Sequence, residues 1–284
     1  MLGRRVVAVT TPYWRPGQDY VRIVAEAVSG KVSDGDIVAV SEKAISTASG
    51  NIIDEKHVKP SWTAKLIARW WMRIGWGYLL GPLCHMQPKL LNHLRRYPEH
   101  LGSRHKQVAL QQAGFLQALM FGSEGGIDGS NVPGSYVSLP LNDAEEVAEK
   151  ICREARRKSG RHVAVMIVDT DKTYSFRGFH LTPRPAPMRG IHSFGGPASY
   201  VVGRVLRLKR RATPLAVAGE RFPVDEALEL ADAANRSRGH GAGRTVWEMA
   251  ERFGVELTGV TWEMLEAVRH KPIVIIRRQE GGKS

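Results

Sequence analysis

Val163-Ala164-Val165-Met166-Ile167-Val168-Asp169-Thr170 is the stretch on which the fold turns. Six apolar residues in a row, four of them β-branched, show no polar alternation. Such a run predicts a strand buried on both faces, ended here by Asp169-Thr170. A strand covered on both faces needs layers on either side, so helices must pack above and below it. Working outward, Ile37–Val40 is a second run of this kind, entered through the turn signal Asp34-Gly35. Val6–Thr10 and Pro272–Ile276 read as further strands. Between these runs the apolar spacing turns helical. Asp19 is placed to cap a helix through about Val28, and Asn142 or Asp143 one to about Lys158, with Val147, Ile151 and Ala155 inward. Later helices are expected near Asp225–Ser237, Thr245–Phe253 and Trp262–Val268. The expected class is therefore α+β (mixed α/β), with mixed sheets and flanking helices.

Two segments depart from this rhythm. Residues 61–120 are mostly helical in pattern, with Leu66, Ile67, Trp70, Trp71 and Ile74 at helical spacing. From Phe121 to Pro140 the glycines and prolines forbid a regular helix. The 284 residues carry 41 Lys+Arg against 28 Asp+Glu, a net charge of +13. That excess favours an anionic partner: a nucleotide, a phosphorylated cofactor, nucleic acid or an acidic membrane surface. An apolar share of 43% excludes a wholly disordered chain, and two cysteines, Cys84 and Cys152, exclude a disulfide framework. No long apolar leader is expected in residues 1–11. Thr63–Met86 is broken by Lys65, Arg69, Arg73, Gly75, Gly77, Gly81 and Pro82, so no spanning helix is expected either, and the expected location is cytoplasmic.

Four stretches could carry chemistry. Gly125-Gly126-Ile127-Asp128-Gly129-Ser130-Asn131 exposes a carboxylate beside a hydroxyl and an amide, the donors that hard divalent cations take, or else forms a tight Asx-turn. Asp169-Thr170-Asp171 stands at a strand end, where open sheets bind ligands, so Asp169 could share a metal with Asp128. It could equally be a capped turn. In Ser41-Glu42-Lys43, after the strand Ile37–Val40, Lys43 could meet a phosphate or remain a solvated lysine. Gly239-His240-Gly241-Ala242-Gly243-Arg244-Thr245 precedes a helix and could hold an anion through backbone N–H groups and Arg244, or be a flexible loop. A Walker A ending, an H-E-x-x-H pair and a G-x-S-x-G elbow are all missing from the sequence. Trp70, Trp71, Trp76 and Tyr78 read as core or interface residues rather than nucleobase platforms.

Taken together, three pieces resemble the coenzyme F420-0:L-glutamate ligase family. They are Gly35-Asp36-Ile37-Val38-Ala39-Val40-Ser41-Glu42-Lys43-Ala44-Ile45-Ser46, Gly126-Ile127-Asp128-Gly129-Ser130-Asn131-Val132 and Val163–Thr170. The resemblance covers about 1–55 and 122–180. It implies a two-lobed fold, with the nucleotide and metal motifs in about 1–180 and a second lobe in about 181–284. It also implies a homodimer. The implied activity is a GTP- and divalent-metal-dependent ligase that joins L-glutamate, through a gamma-linked amide and an acyl phosphate, to an F420-0-like deazaflavin acceptor. Mn²⁺ or Mg²⁺ is the implied metal, with K⁺ as an optional further ion. By the same resemblance Asp128 and Asp169 are catalytic and, with the Thr170 hydroxyl, metal ligands. Ser41, Lys43, Asn131 and Arg177 fall near the nucleotide. Thr47 and Ser49 stand where the family carries a second lysine and a glutamate before glycine, and residues 56–121 form an expanded Trp/Arg-rich helical segment. Two other readings are a ligase of this family with another acidic acceptor or a non-catalytic relative, and an RNA- or membrane-surface-binding protein using the basic helical segment. Exposed carboxylates at Asp128 and Asp169 count against a pure polyanion binder, so nucleic acid is not expected as the partner.

Overall fold

The computed structural model describes residues 4–278. Its centre is a seven-stranded mixed sheet. The described residues form nine strands: β1 (Val6–Thr11), β2 (Ile37–Ser41), β3 (Ile52–Asp54), β4 (Tyr136–Ser138), β5 (Ala164–Phe176), β6 (Phe179–Thr182), β7 (His192–Ser193), β8 (Lys209–Ala218) and β9 (His270–Ile276), all but β3 and β4 in this sheet. β9 lies antiparallel between β1 and β2, and β2 runs parallel to β5 with Ile37 opposite Ala164 and Ser41 opposite Val168. β8 covers the other edge of β5 antiparallel, and the far end of β5 turns back as β6. β3 and β4 form a separate two-stranded ribbon.

Both faces of β2 and β5 are dry, as their unbroken apolar runs predict. Val38, Val40, Val165, Ile167, Ile273 and Ile275 point to one side, against helices Tyr20–Val28 and Ala144–Ser159. Ile37, Ala39, Met166, Val168 and Val274 point to the other, against helix Val224–Arg238. The period of two in side-chain direction thus assigns each strand residue to one of two cores. Asp19 caps the first helix by accepting from the Arg22 N–H at 3.0 Å. Asp143 occupies the cap position of the second without a side-chain bond to it.

Two expectations change. The strand does not end at Asp169: β5 continues to Phe176. Its pairing with β8 skips from Asp169 opposite Thr213 to Lys172 opposite Ala212, so Thr170 and Asp171 bulge outward. β8 supplies the missing ladder, for the Thr213 hydroxyl donates to the Asp171 carbonyl at 2.7 Å. β8 itself and helix Pro197–Val205 lie in a stretch for which no element was expected from the sequence. β8 and β9, from beyond residue 180, pair with β5 and β2 from before it.

The segment between β3 and β4 builds a third core. Trp62–Leu66 leads into a wide π-helical stretch, Ile67–Leu80, followed by helices Pro88–Arg95 and Glu99–Gln112. Met72, Trp76, Leu94, Val108 and Ile127 close around one another. Trp71 and Trp76 both donate their indole N–H to the Leu119 carbonyl at 2.7 Å. Trp70 and Tyr78 lie exposed on the outer side. No helix among the described residues is long and apolar enough to cross a membrane.

Candidate active site

The carboxyl ends of the parallel pair β2 and β5 open into a cavity of about 490 Å³. Ser41 ends β2 and occupies the cap position of helix Glu42–Ala48, of which Lys43 is the second residue. Asp169 sits where β5 begins to bulge, a device common beside functional sites because it re-aims side chains. Asp128 comes from the irregular Gly-rich loop, whose backbone is pinned by two bonds to Ser138 of β4, at 3.1 and 3.0 Å. Ser41, Lys43, Asp128, Asn131, Asp169 and Thr170 all line this one cavity.

Asp128 forms the Asx-turn, and its second carboxylate oxygen is paired within the protein. Its Oδ1 accepts from the Ser130 N–H at 2.6 Å, which is the Asx-turn, while Oδ2 pairs with the Lys43 ammonium. Lys43 also donates to the Ser130 hydroxyl at 2.7 Å and the Ser130 carbonyl at 3.1 Å. Lys43 is therefore neither solvated nor free. It ties the first motif to the second.

Arg184 performs the same service on the other side, and the sequence did not single it out. Its Nε donates to Asp169 Oδ2 at 2.9 Å, and its two terminal nitrogens reach Glu42 and the Gly125 carbonyl. The guanidinium is 3% exposed. Gly126 makes room for it: with φ of 101°, a Cβ there would lie 2.6 Å from the Arg184 guanidinium carbon. Burial pushes the Glu42 carboxyl up to about 7, with Arg184 pulling it back. Only the placement of a glutamate directly after a buried strand, in Ser41-Glu42-Lys43, hinted at such a partner; nothing around Arg184 did.

Asn131 turns its amide to the loop Gly239–Thr245 rather than to open space. Its Oδ1 accepts from the Ala242 N–H at 2.6 Å and its Nδ2 donates to the Gly243 carbonyl at 2.9 Å. That loop is held, not loose. Arg244 is committed to Glu248 at 2.9 Å, so it is not the uncommitted cation the sequence suggested. Arg177 lies elsewhere. It occupies the tight turn between β5 and β6 at φ 44°, with its guanidinium over the Phe176 ring, because the hairpin closes at Phe176 opposite Phe179. The structure does not bring it to the cavity.

The donor set suits a hard divalent cation. Asp128, Asp169 and Asp171 line the same cavity with the Thr170 hydroxyl. Asp171 leaves a buried Oδ2 without a partner. Burial, then the neighbouring Asp169, holds its carboxyl well above the usual range. A cation is what would relieve that crowding. Among the described residues no three His, Cys, Asp or Glu side chains stand close enough together to form a ready-made cage. Lys43 and Arg184 hold two of the three carboxylates instead.

The helical segment forms the opposite wall of the cavity. Leu90, Tyr97, Leu101 and Phe121, with Trp247, give an apolar half. Behind them, His105 bridges Glu55 at 2.6 Å and Glu124 at 2.9 Å, and the buried Lys106 pairs with Glu124. Burial would depress His105, but the two carboxylates outweigh it and raise it to about 10. Lys106 and His105 in turn hold Glu124 down to about 2 against its burial.

Fold and site together define a mixed-sheet protein with acidic and basic side chains gathered at the carboxyl ends of parallel strands. The chain matches the F420-0:gamma-glutamyl ligase family over residues 8–245 and belongs to that family. It is 34% identical over 288 residues to an uncharacterized protein of Methanocaldococcus jannaschii, with 97% of each chain covered. It is 27% identical over 156 residues to the coenzyme F420:L-glutamate ligase of Methanopyrus kandleri, covering 55% of each. With the enzyme of that name from Archaeoglobus fulgidus it shares 30% over 170 residues, 59% of each. The chain thus spans little more than half the length of these ligases.

Proposed function

We propose that this protein is a nucleotide-dependent ligase that forms an amide between L-glutamate and the carboxylate of a coenzyme F420-0-like acceptor. The observation that carries the reading is the convergence of the three family motifs on one cavity: Lys43 on Asp128, and Arg184 joining Glu42 to Asp169. In this reading the acceptor carboxylate attacks the γ-phosphorus of GTP, giving an acyl phosphate and GDP. The glutamate amine, having lost its proton, then attacks the acyl carbon and releases phosphate. Asp128, Asp169, Asp171 and the Thr170 hydroxyl are the residues that would hold Mn²⁺ or Mg²⁺, which would neutralise phosphate charge there. Lys43 would orient a phosphate with Ser41 beside it. Asn131 acts by fixing the loop Gly239–Thr245 against the cavity. The apolar half lined by Leu90, Leu101, Phe121 and Trp247 would take the body of the acceptor. A homodimer belongs to the same reading, with the exposed Val202, Val205 and Leu206 as an apolar surface for it.

The test is a thermal-shift titration with GTP, ATP and GDP, with and without Mn²⁺, followed by mass spectrometry after incubation with F420-0 and glutamate. A metal-dependent GTP shift and a product heavier by one glutamyl residue are expected. A GTP shift without glutamylation would redirect the reading to another acidic acceptor. Loss of both would sink it.

A further inference from the structure

Arg238 is the last residue of helix Val224–Arg238 and lies over the ends of β2 and β5, beside Ser41, Val168 and Pro272. Its one side-chain hydrogen bond within the described residues goes from Nη2 to the Asn235 amide oxygen at 3.1 Å. No carboxylate of the described residues lies within 4.0 Å of it, although Asp128 and Asp169 line the same cavity. Its remaining N–H groups are uncommitted. Lys271, next in the chain to Pro272, lines the same cavity, also without a carboxylate within 4.0 Å among the described residues. The Ser41 hydroxyl makes no hydrogen bond to described protein groups and lines both the main cavity and the small cleft against Arg238.

A half-buried guanidinium without a counter-charge is costly, because burial removes water that nothing replaces. The helix C-terminus offsets only part of this, and within its last turn. Burial accordingly lowers the proton affinity of Arg238, with Asp169 and then Asp128 pulling it back. Arginine stays charged regardless, so the imbalance calls for an anion. A phosphate suits it best: a planar fork meets two phosphate oxygens at once, and a hydroxyl can donate to a third.

We propose that Arg238, with the Ser41 hydroxyl and Lys271, forms a phosphate-binding subsite in the cavity that Lys43 also lines. The subsite takes a phosphate group of the nucleotide or of a phosphorylated acceptor. Which of the two sources fills it rests on the ligase reading above; the subsite itself does not.

The experiment is calorimetric titration of the full chain with inorganic tripolyphosphate and with GTP, for the wild type, Arg238→Gln, Arg238→Lys and Arg153→Gln. Arg153 is exposed on a distant helix and controls for net charge. Arg238→Gln should weaken tripolyphosphate by about tenfold or more, the worth of one charge-assisted contact. Arg238→Lys should weaken it less, and Arg153→Gln by less than about twofold. If Arg238→Gln melts early, Arg238→Lys against Arg153→Gln still decides. Equal weakening by Arg238 and Arg153 variants would overturn the subsite. Under turnover, a rise in KM confined to GTP places the nucleotide there, and one confined to the acceptor places the acceptor's phosphate. Tripolyphosphate binding that depends on Arg238 in a chain that transfers no glutamate would retain the subsite and remove the ligase reading. Transfer with both KM values unchanged in Arg238→Gln would do the reverse.

Discussion

At the scale of single residues, Arg184 and Lys43 do most to hold the site. Each links pieces of chain far apart in sequence, and each holds a carboxylate that would otherwise face the cavity unpaired. Breaking a buried pair by removing one partner costs about 3–5 kcal/mol, since the other charge is left stranded. Arg184→Met should therefore lower the urea unfolding free energy by that amount, while Arg184→Lys, which keeps one contact, should cost less. Lys43 is more exposed, so its loss should appear in binding rather than stability. Lys43→Ala is expected to weaken GTP by about tenfold with a nearly unchanged melting temperature; equal affinity in calorimetry would assign Lys43 to scaffold alone. Asp128→Asn and Asp169→Asn are expected to abolish the Mn²⁺-dependent part of the GTP thermal shift in folded protein. A Mn²⁺ response retained in both would remove them as ligands.

Among the elements, the Gly-rich loop and the helical segment matter most. Gly126→Ala forces a Cβ onto the Arg184 guanidinium at a positive φ, and should cost about 1–3 kcal/mol in chemical denaturation. The helical segment carries a pH dependence of its own. His105 is raised from 6.5 to about 10 in the folded chain, so it binds a proton more tightly there than when unfolded. Its contribution is fully present below pH 6.5 and is lost as pH rises through about 10. The melting temperature of the wild type should thus fall between pH 7 and 10, by an amount on the order of a few kcal/mol in stability, and the fall should be smaller in His105→Gln. Parallel curves for the two proteins would show that His105 does not titrate against Glu124 and Glu55.

For the whole molecule, the sheet and the helical segment meet at the cavity and give it two unlike halves. One is charged and lies over strand ends; the other is apolar and comes from residues 62–121. That division suits an acceptor with a flat or apolar body and an acidic end. Light scattering at micromolar concentration should show a dimer in the ligase reading, and Leu206→Glu should shift it toward monomer by placing a charge on the exposed apolar surface.

The sequence by itself determined the dry strands, the helices of the sheet layers and the three motifs. Each is local: an apolar run, a cap, a glycine-rich turn or a carboxylate between glycines is legible wherever it stands. Asp128, Asp169 and Lys43 could be named for the same reason. Only the tertiary structure decided what depends on distant partners. β8 was hidden because a strand that opens on Lys209, Arg210 and Arg211 reads as a charge cluster until β5 supplies its ladder. The bulge at Thr170 and Asp171 exists only against that neighbour. Arg184 and Arg238 look like ordinary arginines in the chain. Their roles arise because folding removes water from both and gives one two carboxylates and the other none.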